Sequence, residues 1–149
     1  MREYKYRGKR IDNGEWVYGY YAVGKYEINE VHMIYVNCTD KITGFKILYN
    51  IAVHPESVGQ FTELTDRTEW EDATEEQRRE YTEETWNGVE IYEGDILKHS
   101  GFGKPNLKVI SYVRNGYEPS SVYKDWEKGI LAYKVVGNTT DNLELLEVK

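Results

Sequence analysis

Glu93 and Asp95 flank Gly94, and in an extended chain the alternation of side chains puts both carboxylates on one side. Paired carboxylates can divide acid and base duties or hold a divalent cation. With His99 four residues further on, they outline a metal-dependent hydrolase site. The same Gly-Asp ahead of Ile96-Leu97 is also ordinary turn chemistry, which is the preferred reading. His32, His54, His99 and Cys38 lie far apart, without the short spacings of zinc sites, and read as structural or surface residues. Ser100-Gly101-Phe102-Gly103-Lys104 lacks the full spacing of a phosphate-cradling loop and its following Ser or Thr, so it reads as a flexible loop. No serine sits in a GxSxG elbow. The expectation is a protein that is not an enzyme, with no catalytic residue, no cofactor and no metal site.

Binding chemistry has two candidates. Tyrosines and cations interleave from Arg2 through Lys5, Arg7, Lys9 and Arg10, and aromatic faces beside cations can stack and neutralise single-stranded nucleic acid. Half-burial of an N-terminal strand accounts for the same pattern and is the preferred reading. The other candidate is acidic. Residues 61–100 carry four Lys/Arg against thirteen Asp/Glu, whereas residues 1–60 and 101–149 are each at +1, so the net charge of −7 belongs to one segment. Within it Glu75, Glu76, Glu80, Tyr81, Glu84 and Trp86 form a candidate interaction surface, suited to a basic host or phage protein. A solvated surface helix is the plainer account.

The elements that must carry these residues are mostly strands. Asn13-Gly14, Asn87-Gly88 and Asn115-Gly116 are tight-turn signals, because both residue types tolerate positive φ. The first predicts an N-terminal hairpin joining Tyr4–Arg7 to Trp16–Tyr21. A strand is expected over Ile28–Val36, and after a turn at Asp40–Gly44 the residues Phe45, Ile47, Tyr49, Ile51 and Val53 recur at every second position, placing all five on one strand face. His54–Gly59 reads as one helical turn with Pro55 at its first position. Thr74-Glu75-Glu76-Gln77 has capping-box spacing and opens a polar helix over about 75–86, closed by Gly88. Ile91–Lys98, Leu107–Arg114, Ile130–Val136 and Leu143–Val148 are further strands. The fold class is mainly β with one or two short helices, arranged as an antiparallel small barrel or two packed sheets.

Composition agrees with one folded domain over residues 1–149: apolar residues make up 40% of 149, and fourteen tyrosines and four tryptophans accompany only three prolines. The first twenty residues lack the apolar core of an export signal, no apolar run approaches membrane-spanning length, and one cysteine suits a reducing compartment, so a cytoplasmic location is expected.

Four blocks carry a resemblance to a known family. They are Tyr6-Arg7-Gly8-Lys9 with Gly14-Glu15-Trp16-Val17-Tyr18-Gly19; Val53-His54-Pro55-Glu56-Ser57-Val58-Gly59-Gln60-Phe61-Thr62; Glu90-Ile91-Tyr92-Glu93-Gly94-Asp95-Ile96-Leu97; and Val136-Gly137-Asn138 followed by Asn142-Leu143-Glu144-Leu145-Leu146-Glu147. In this order they resemble the YopX-like family of phage and prophage proteins. The family usually has Gly where this chain has Glu63, and joins its middle blocks by a short turn, so 69–86 looks like an acidic helical insertion. The resemblance implies a phage or prophage origin and a mainly β fold, and brings no established activity. The function expected is a non-enzymatic accessory module that binds a host or phage protein, with self-association into a homo-oligomer. The alternative is a small nucleic-acid-binding β-barrel using the basic hairpin, and behind it the metal-dependent hydrolase.

Overall fold

Asn13 and Gly14 turn the chain from β1 (Tyr6–Lys9) into β2 (Trp16–Tyr26) as their types require: Gly14 has φ +73°, and the Asn13 side-chain oxygen accepts the Glu15 amide at 2.9 Å. The computed structural model describes residues 5–66, 68–99, 106–113, 116–118 and 133–147. The register pairs Tyr6 with Gly19 and Lys9 with Trp16. A second hairpin joins β2 to β3 (Asn29–Thr39), and a third joins β3 to β4 (Lys46–Ala52). At the third turn Gly44 has φ +71°, and one Asp40 carboxylate oxygen accepts the amides of Ile42 and Thr43 at 2.7 and 2.9 Å.

Two glycines let this meander curl. A Cβ on Gly19 would stand 2.1 Å from the Tyr35 carbonyl oxygen, and one on Gly8 would meet the Val53 side chain at 2.9 Å. Close approach at these points allows β2 to serve β1 with its first half and β3 with its second. The end of β4 returns to the start of the chain through an Arg10↔Val53 bridge, flanked by Ile11 N–H to Ala52 O (3.2 Å) and His54 N–H to Lys9 O (2.9 Å). Ile34 and Val53, at 0% and 1% exposure, are the buried anchors here.

Pro55–Ser57 forms the expected single turn, as a 3-10 helix with Pro55 leading; the Ser57 hydroxyl accepts the Lys9 amide at 2.7 Å. β5 (Gly59–Thr65) then pairs through Gly59 and Gln60 with β1. The chain divides within β5 into two compact units, Met1–Phe61 and Thr62–Lys149.

In the second unit the rest of β5 lies beside β6 (Glu90–Tyr92), and a separate antiparallel sheet is ordered β11 (Tyr133–Asn138), β7 (Asp95–His99), β8 (Asn106–Val109). Leu64, Ile91, Leu97, Ile110 and Tyr133 close a core between them, with Val135 packed against it. β9 (Ser111–Val113) and β10 (Gly116–Glu118) form a two-stranded ribbon. Among the described residues the architecture is mainly β, with open antiparallel sheets and one short α-helix, and they form no closed barrel.

Four expected elements differ. The strand over Leu107–Arg114 is broken into β8 and β9 at Ile110, whose backbone groups bond to Gly94 and Asp95. The strand over Ile91–Lys98 is broken into β6 and β7 by a turn at Glu93-Gly94, where Gly94 has φ +89°. The strand over Leu143–Val148 is a 3-10 turn, Leu143–Leu146: Asn138 accepts the Thr140 and Asp141 amides, Asn142 accepts the Asn138 amide, and these local bonds curl the chain before a strand can form. The helix α1 spans Glu75–Glu80 and stops there instead of at Trp86, because Tyr81 is extended and Thr82 and Thr85 bond each other's backbone. Its capping box is present as read, with the Gln77 amide donating to Thr74 Oγ1 at 3.2 Å and the Thr74 amide to Gln77 Oε1 at 2.9 Å. The Ser100–Lys104 loop and Asn115 lie outside the described residues.

Candidate functional site

Of the carboxylate pair, Glu93 is half-buried and Asp95 is turned inward. Asp95 is 1% exposed, and one oxygen accepts the Tyr92 amide at 2.7 Å, so it caps the β6–β7 turn from inside. The backbone of that turn is held by Gly94 N–H to Ile110 O and Ile110 N–H to Asp95 O. His99 stands at the other end of β7, four residues and about 13 Å of strand away. Among the described residues no three His, Cys, Asp or Glu side chains gather as metal ligands. Cys38 is exposed on β3.

His32 has specific partners that its sequence position did not reveal. Its Nδ1 is hydrogen-bonded to the Tyr21 hydroxyl, and its Nε2 lies 3.9 Å from a Glu30 carboxylate oxygen. The Tyr6 ring packs 5.5 Å from Tyr21. Burial, followed by the nearby Glu30 and Tyr6, raises the Tyr21 phenol above its ordinary value. The two imidazole nitrogens point in different directions, so Tyr21 and Glu30 orient the ring and do not converge with it on one point.

The basic hairpin is mostly engaged internally. Arg7 is 8% exposed, with its guanidinium 4.8 Å above the Trp16 ring. Arg10 binds Asp12 through two bonds of 2.8 and 2.6 Å, which also hold the Asp12 carboxyl below its usual range. Lys5 lies 5.8 Å from the Tyr18 and Phe61 rings. Arg2 is outside the described residues.

The acidic candidate surface divides in two. Glu75, Glu76, Glu80 and Glu84 are exposed. Tyr81 and Trp86 are half-buried: Trp86 packs against Trp70 and Tyr81 at 5.7 and 5.8 Å, and its indole N–H donates to the Thr68 carbonyl at 2.7 Å. Arg78 lies 5.5 Å over Trp70 and donates to the carbonyls of Trp70 and Glu71. Tyr81 donates its hydroxyl to Glu90. Residues 69–86 therefore have their own aromatic centre, and their carboxylates face solvent together with Arg78 and Arg79.

Among the described residues, an exposed apolar face lies on the first unit. The Tyr20↔Tyr35↔Asn50 register places Tyr18, Tyr20 and Tyr26 of β2, Met33 and Tyr35 of β3, and Leu48 of β4 on one sheet face. Exposures there are 39% for Tyr18, 59% for Tyr20, 73% for Tyr26 and 55% for Leu48. Only strand register says which residues share this face. No family model, curated protein or solved structure matches the chain.

Proposed function

We propose that this is a YopX-like accessory protein of phage or prophage origin, acting in the host cytoplasm by binding another protein. What supports the reading is the exposed face carrying Tyr18, Tyr20, Tyr26 and Leu48. Tyrosine presents a large amphipathic contact area with few rotatable bonds and is enriched at binding hot spots. The face carries little charge, so desolvating it in a complex costs little. The exposed carboxylates of the 69–86 insertion offer a second, electrostatic contact that speeds encounter with a basic partner more than it tightens the complex.

The test is affinity capture from host extract with the wild-type chain, the double variant Tyr18→Ser/Tyr20→Ser, and Glu75→Gln/Glu76→Gln/Glu80→Gln. Wild type is expected to retain a saturable partner that the tyrosine variant loses, while the glutamine variant keeps it with greater indifference to salt. Equal capture by all three would remove the face from the explanation.

A further inference from the structure

We infer that one partner is a second copy of this chain, docked edge to edge along β4. This rests on the protein-binding reading above and specifies one occupant for it. β4 ends its sheet, with β3 on one side and no described neighbour along Lys46–Ile51 on the other. Antiparallel ladders alternate the direction of backbone groups. The Val53 amide donates to His32 O, so Ile51, Tyr49 and Ile47 turn their backbone groups towards β3, and those of Asn50, Leu48 and Lys46 face outward. At Ala52 that outer edge is already taken by Ile11.

Where Ile11 and β4 diverge they leave a cavity of about 310 Å³, lined by Arg10, Ile11, Asp12, Asn50, Ile51 and Ala52. The fork limits the register. An antiparallel strand using the outward groups of Lys46, Leu48 and Asn50, and stopping short of Ala52, matches β4 itself with Leu48 opposite Leu48. Lys46 of each copy then falls opposite Asn50 of the other, beside the wall that carries the Arg10–Asp12 pair, and no like charges are directly opposed along the ladder. Phe45, 73% exposed in one copy, falls opposite Ile51 at the mouth of the cavity of the other. Edge strands are ordinarily guarded by charge, proline or a bulge. Lys-Ile-Leu-Tyr-Asn-Ile-Ala has a single lysine at its start as a guard.

Light scattering after gel filtration of the full chain, over a range of loading concentrations, is expected to move from the mass of one copy to that of two. Leu48→Lys puts two ammonium groups directly opposite one another and is expected to hold the chain at one copy, with an unchanged circular dichroism spectrum. Phe45→Ala is expected to raise the dimer dissociation constant about tenfold, while Ile42→Ala, 96% exposed but outside the pairing, leaves it unchanged. In a Cys38→Ser background, Leu48→Cys is expected to give a covalent dimer with diamide, which accepts the two electrons and two protons of the thiols. Opposed residues of a hydrogen-bonded pair are about 5.5 Å apart at Cα, within disulfide range. A single-copy mass at every concentration, or a dimer indifferent to both Leu48→Lys and Phe45→Ala, overturns the inference. Loss of foreign capture in Tyr18→Ser/Tyr20→Ser but not in Phe45→Ala, which lies off the tyrosine face, would leave the protein-binding reading standing by itself.

Discussion

Glu27 and Glu63 hold positive φ, +56° and +67°, where a side chain crowds its own backbone. Glu63 lies inside β5. Glu63→Gly is expected to raise unfolding stability by about 1 kcal/mol, strain relief of about 1–2 being partly offset by added freedom of the unfolded chain. Urea denaturation measures it, and a fall in stability would mean that contacts of the Glu63 side chain outweigh the strain. Asp66 acts in the opposite sense. It is 2% exposed, and its oxygens accept amides from Thr68, Val89 and Val135 at 2.9, 2.9 and 3.0 Å, tying three chain segments together. Gly88 crosses it so closely that a Cβ would stand 1.8 Å from the Asp66 carbonyl oxygen. Asp66→Ala is expected to cost about 3 kcal/mol, since it strands buried donors at about 1–3 kcal/mol each; Asp66→Asn, which keeps one oxygen, should cost less. Of the three amides only that of Thr68 is near in sequence, which is why this organising residue was not legible beforehand.

Elements whose signals are local were readable, and those decided by competition were not. The Asn13-Gly14 hairpin, the Asp40–Gly44 turn, the Pro55 turn and the Thr74 capping box each depend on residues within four positions of one another, and each formed. The Glu27-Ile28 turn carries no such signal and is imposed by pairing of β2 with β3. The period-2 run from Phe45 to Val53 marked a strand correctly but not its burial: Val53 is 1% exposed and Phe45 73%, because β4 is an edge. The Asp40 turn gives a pH prediction. Amides of Thr43 and then Ile42 lower its carboxyl below the ordinary value, so its contribution is present above that value and lost as pH falls through the lowered one. Thermal midpoints of wild type should therefore fall more steeply below about pH 4 than those of Asp40→Ala, which lacks the titrating group. Parallel curves would remove Asp40 from the acid limb. In residues 69–86, Trp86→Ala is expected to cost about 2–3 kcal/mol, less than a fully buried tryptophan, through loss of packing on Trp70 and Tyr81 and of the bond to Thr68 O. Thermal unfolding followed by circular dichroism measures it.

For the molecule as a whole, the unequal spread of charge argues against the nucleic-acid alternative, although four of the five cations of the N-terminal segment lie among the described residues. Sequence alone counts Arg7 and Arg10 as free phosphate ligands, because neither burial under Trp16 nor the bidentate bond to Asp12 can be seen in one dimension. Residues 61–100, at four cations against thirteen acids, add repulsion for any polyanion that approaches. Each phosphate contact contributes about −0.9 to the slope of log affinity against log salt for duplex DNA, so a real interface announces itself by steep salt dependence. The expected result is no mobility shift of labelled single- or double-stranded oligonucleotide at about 50 mM salt, and no change on Lys9→Ala/Arg10→Ala. Binding with a slope of −3 or steeper that those substitutions reduce would restore the alternative, because it would require Arg10 to exchange Asp12 for phosphate. That exchange gives up a two-bond carboxylate partner already in place, and the acidic segment supplies nothing to offset the loss.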